Sequence, residues 1–148
     1  MPRVFSFPLQ KVLDMRQHLE DQRAVELGQA KQELFKEQQL LNRLNTLKIE
    51  ALRASEQELA DSLRLNKIRM LESYLVQLNE RIERQKEIIM QKNELVEKKR
   101  RELLKASQDK KVVEKLKERQ FEAHRKSLRL KENKMIDEVA LRVTQRSG

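Results

Sequence analysis

The chain contains no cysteine, which excludes a disulfide framework and a thiolate metal site. Glycine and proline are nearly missing: there are two of each, and after Pro2, Pro8 and Gly28 neither type recurs before Gly148. A compact fold turns its chain with Gly, Pro, Asn or Asp at special backbone angles, so few sharp turns can be made here. Aromatics are only 3% of the residues and tryptophan is absent, which argues against a thick core. No apolar run approaches the roughly 18 residues of a membrane span. The start of the sequence also lacks the hydrophobic centre of a signal peptide. The expectation is a soluble, unsecreted protein.

What remains is charge and helix-forming potential. Charged residues are 39% of the 148 residues, and the sequence is rich in Leu, Glu, Lys, Gln and Arg. Such strong helix formers in such proportions mark long helices or coiled coil. The net charge of +9 is placed unevenly. Residues 1–66 hold 10 basic and 10 acidic residues, and residues 67–148 hold 23 and 14, so the whole excess lies in the second half.

Periodicity sharpens the helical expectation. In the first half a narrow stripe runs through Leu9, Val12, Leu19, Leu27, Ala30, Leu34, Leu41, Leu44, Ala51 or Leu52, Leu59 and Leu63, with Arg16, Arg23, Glu37 and Lys48 intruding. In the second half Ile68, Leu71, Leu75, Leu78, Ile82, Ile89, Val96, Leu103, Ala106 and Val113 alternate by three and four, with Gln85, Lys92, Lys99 and Lys110 between them. Such spacing, sustained over several heptads, is a coiled-coil seam. Polar residues on a seam weaken it and help to fix its register. Asp61, Ser62 and Asn66 can each cap a helix, so the spacing predicts a hairpin: helix about 9–60, turn about 61–66, helix about 67–143, in one domain spanning 1–148. A continuous helix, its seam filled by a second chain, is the other reading. The hairpin, and with it a monomer, is favoured because it buries both stripes at high effective concentration.

The predicted fold class is therefore all-α, a long antiparallel two-helix coiled-coil hairpin with the C-terminal helix overhanging. At 1.5 Å per residue the second helix outruns the first by about 40 Å, and folding back brings Leu9 near residue 118. The heavily charged stretch that follows, with Phe121, Leu128, Met135 and Val139 at helical spacing, is then left without a partner inside the hairpin. Either it meets another molecule, or Val4, Phe5 and Phe7 fold over part of it.

Residues for catalysis are missing or scattered. His18 and His124 are the only histidines, each read as a solvated surface residue, and two without a clustered third ligand do not make a metal site. No glycine-rich loop exists to cradle phosphate, and a two-helix rod offers no concave pocket. No enzyme activity, metal or cofactor is expected. Basic density at 98–101 and 110–111 raises nucleic acid or anionic membrane as partners. Consecutive basic residues on a helix point in different directions, however, and Glu97, Glu102, Asp109, Glu114 and Glu118 interrupt the runs. A solvated coiled-coil surface that prefers acidic proteins is favoured over a nucleic-acid site.

Two segments carry a resemblance. The opening VFSFPLQKVLDMRQHLEDQRAVELGQA shows an F-x-F-x-L-Q-x-V-L-x-x-R pattern leading into a helix, and EKLKERQ at 114–120 followed by ENKMIDEVALR at 132–142 shows an E-K-L-x-E-R core before a K-x-x-D-E-x-A signature. In this order, at both ends, they resemble the flagellar FliJ proteins. The resemblance implies an antiparallel two-helix coiled coil similar to the γ stalk of rotary ATP synthases. It further implies a cytoplasmic protein, held peripherally at the membrane at the flagellar base, that associates with the hexameric export ATPase, the cytoplasmic domain of the export gate and export chaperones. Carried onto this sequence, the gate-contacting side would be Tyr74, Leu78 and Ile82, although Leu78 and Ile82 also sit on the seam. The overhang would supply the ATPase-contacting tip, with Arg119, Arg125 and Lys131 steering it to acidic ring loops and Phe121, Leu128, Met135 and Val139 giving apolar contact. The equivalent stalk of a virulence type III secretion system, a basic helix that binds nucleic acid or anionic lipid, and a purely structural intermolecular coiled coil are the competing readings.

Overall fold

In a computed structural model of the chain, residues 4–61 and 65–147 are described, and they hold two elements: α1, Gln10–Asp61, and α2, Leu65–Ser147. They form a two-helix hairpin, and the described residues contain no strand. The lengths, 52 and 83 residues, follow from an interior of strong helix formers without proline. Pro8 sits in the turn before α1, where its fixed φ and missing N–H cost nothing. There the Gln10 N–H donates to the Phe7 carbonyl at 3.1 Å. Asp61 is the last residue of α1, and Asn66, expected to cap α2, lies within it. Residues 62–64, with the cap expected of Ser62, lie outside the described residues.

By its contacts the chain divides into two compact units. One is Gln22–Leu103, a stretch of each helix packed along the seam. Leu44 and Ala51 of α1 close on Leu78 and Ile82 of α2, with Leu41 and Leu75 at the margin. A second cluster joins Leu27 and Ala30 to Val96, flanked by Leu34, Leu95 and Leu103. Polar residues on the stripes are matched across the helices. The buried Gln85 amide donates to the Glu37 carbonyl at 2.9 Å and also to the Glu37 carboxylate. Lys92 pairs with Glu33 at 3.1 Å, and Lys99 with Glu26 at 3.3 Å. The Glu26 carboxyl is held below its ordinary range by hydrogen bonds from Arg23 and then Lys99, and the Lys99 ammonium is held above its own by Glu26. Each such pair forms in one register only, so the polar interruptions specify the alignment that the apolar stripe alone leaves free to slip by a heptad.

The other unit is Met1–Asp21 with Leu104–Gly148. Ala106 and Val113 are its buried seam residues on α2. Arg16 donates to the Asp109 carbonyl at 2.6 Å, Lys110 to Glu20 at 3.0 Å and Lys117 to Gln10 at 2.7 Å. The Lys110 bond, followed by one from Ser107, lowers the Glu20 carboxyl, and Glu20 in turn raises the Lys110 ammonium. Ahead of α1, Phe7 is buried, and the Phe5 ring meets Phe121 edge-on at 5.4 Å and His124 at 5.6 Å. His124 is thus half-buried rather than a solvated surface residue, and its Nε2 is buried without a hydrogen-bond partner among the described residues. From residue 129 to residue 146, every side chain of α2 is exposed.

Candidate partner-binding surfaces

The expected tip residues divide by helix geometry. With about 100° per residue, Phe121, Leu128, Met135 and Val139 fall within roughly a 40° arc, continuing the face of α2 that forms the seam earlier in the helix. Phe121 is 43% exposed beneath Phe5, Leu128 is half-buried, and Met135 and Val139 are 64% and 57% exposed. The expectation that this stretch has no partner within the chain is therefore corrected at Phe121, which the N-terminal segment covers in part, while Met135 and Val139 are exposed. Arg125 and Lys131 flank the stripe about 60° to either side. Arg125 is engaged by Glu122 at 3.4 Å, and Lys131 is exposed and in no ion pair among the described residues. Arg119 does not join them: nine residues before Leu128, it points to the opposite face of the helix.

The expected gate residues also separate. Leu78, at 1% exposure, and Ile82 are enclosed by Leu44 and Ala51, so a partner docking on the closed hairpin cannot reach them. Tyr74 is 40% exposed. It lies at seven-residue spacing from Arg81 and Ile88, on the edge of α2 beside the seam. Arg81 and Ile88 meet Leu40 of α1 in a shallow cleft of about 200 Å³, which Leu44, Arg84 and Gln85 complete. Leu40, and Leu47 one heptad further on α1, are half-exposed, while Arg81 and Arg84 are in no ion pair among the described residues. This edge offers apolar area beside uncompensated positive charge. Sequence periodicity did not single out Leu40, Leu47 or Ile88, because residues flanking a seam become a surface only once the partner helix is in place.

No cluster of metal-ligating side chains occurs among the described residues, and no helix is long and apolar enough to cross a membrane. The profile of the family described as flagellar FliJ protein matches residues 5–148. The chain belongs to the flagellar FliJ family. The match runs through the paired seam and on through the exposed arm of α2. FliJ proteins are non-catalytic components of flagellar type III protein export, and this chain is one of them. No curated protein and no solved structure matches it.

Proposed function

We propose that this FliJ protein is a stalk and adaptor that links the export ATPase to the membrane export gate, with export chaperones as further partners. The ATPase ring takes the arm of α2, residues 129–146, together with Phe121, Arg125 and Leu128. The gate domain docks on the edge bearing Tyr74, with Leu40, Leu47 and Ile88 beside it.

The observation that carries this reading is the uninterrupted exposure of residues 129–146 on a helix with an apolar stripe. Helices owe most of their stability to packing, so Met135 and Val139 gain little from the chain itself and have area left to bury against a partner. Lys131 and Arg125 beside them favour an acidic surface and faster association. Removal of residues 129–148 is expected to leave the helical hairpin intact, since Phe5 still covers Phe121, and to abolish stimulation of the purified export ATPase. Full stimulation by the shortened protein would overturn the tip assignment. Tyr74→Ala is expected to weaken binding of the gate cytoplasmic domain without changing helicity; a loss of helicity would make Tyr74 a structural residue instead.

A further inference from the structure

A third surface differs from both the apolar tip stripe and the gate edge, and shares only Arg129 with the arm. In the unit that contains Leu104–Gly148, the seam side of α2 is marked by Val113, Lys117, Gln120 and His124, which are buried or half-buried. At about 100° per residue, Lys111, Lys115, Arg119, Lys126 and Arg129 fall within roughly an 80° arc centred opposite that seam. All five are exposed, and none is in an ion pair among the described residues. They span 19 residues of one uninterrupted helix, a rise of about 27 Å. Two acids share this side: Glu122, tied to Arg125 at 3.4 Å, and Glu118. Exposed Leu104 and Val112 stand at the near end of the strip.

We propose that this outer face of α2 is a docking strip for an anionic lipid bilayer surface. A line of lysines and arginines on the side of a helix turned away from its partner can lie along a plane without any conformational change. Their long side chains carry the charges out to the headgroups, and each basic residue near an anionic leaflet adds its own increment to binding. Leu104 and Val112 can enter the interface shallowly. Nucleic acid fits less well. The strip holds no aromatic for base stacking, and where α1 backs it the hairpin is two helices wide, whereas the major groove admits one.

The test is co-sedimentation of the full chain with vesicles of phosphatidylcholine alone, and of phosphatidylcholine mixed with phosphatidylglycerol, at low and high salt. Expected are binding to the anionic vesicles only, weakening as salt rises, and a loss of roughly tenfold or more in Lys111→Gln/Lys115→Gln/Arg119→Gln/Lys126→Gln. A charge-matched control, Lys11→Gln/Lys31→Gln/Lys36→Gln/Arg53→Gln, removes four exposed cations from α1 and should bind nearly as the parent does. Circular dichroism verifies that both variants remain helical. Equal losses in the two variants would reduce the effect to net charge and overturn the strip. No binding to anionic vesicles would overturn it too, as would tighter binding to duplex DNA that the same four substitutions abolish.

Discussion

Leu78 and Val139 are aliphatic residues on one helix, each set in densely charged sequence, yet Leu78 is 1% exposed and Val139 57%. The difference lies in what stands opposite. Leu78 faces Leu44 and Ala51 of α1, whereas Val139 belongs to a stretch in which every residue is exposed. The same amphipathic pattern thus does two jobs along α2: it supplies the seam of the hairpin in one region and an uncovered stripe in the other. Amphipathicity specifies that a face is to be covered and leaves open whether the cover comes from the same chain.

Matched truncations would break this comparison if it is mistaken. Leu78→Ala leaves a cavity in an enclosed seam and is expected to cost about 3 kcal/mol in urea unfolding. A smaller change comes from α1. Gly28 lies within the helix with no positive φ, and beyond its chain neighbours and the backbone of its own helix nothing stands within 4 Å of the position a Cβ would occupy. Gly28→Ala should therefore raise stability by about 0.5–1 kcal/mol through backbone entropy alone, with the rise in melting temperature as readout. The smallest effect belongs to the arm: Val139→Ala should change global stability by less than about 0.5 kcal/mol. A cost like that of Leu78→Ala would mean that Val139 is covered in solution.

Much of the hairpin is legible in the sequence because its period is strict. The three-and-four alternation identifies Leu78, Ile82, Val96, Ala106 and Val113 as interior, and they are. The same alternation marks Gln85, Lys92, Lys99 and Lys110 as seam positions, but the period cannot name their partners. Glu37, Glu33, Glu26 and Glu20 become partners only when the register is set. On the first stripe Leu9 and Leu19 are exposed while Arg16 and Arg23 are half-buried, because the long arginines reach across to the Asp109 carbonyl and to Glu102.

The surfaces were less legible, for three separate reasons. Phe5 and Phe7 precede α1 in non-helical chain, so no helical period could place them over Phe121 and His124. The resemblance joins Tyr74, Leu78 and Ile82, and burial divides one reachable residue from two enclosed ones. Arg119 is near the tip residues in sequence, whereas the turn of the helix assigns it to the outer face with Lys115 and Lys126. In the basic half, adjacent cations such as Lys110 and Lys111 part company: one pairs with Glu20 and the other stays exposed without an ion-pair partner among the described residues.

The most direct test is amide hydrogen exchange across α2, in the free protein and with the export ATPase added. Residues 129–146, whose side chains are exposed, should exchange near the fast limit when free, whereas residues 71–113 are protected. Addition of the ATPase should slow exchange in residues 129–146 and leave the seam unchanged. Strong protection of that arm in the free protein, or no protection on adding the ATPase, would contradict the account.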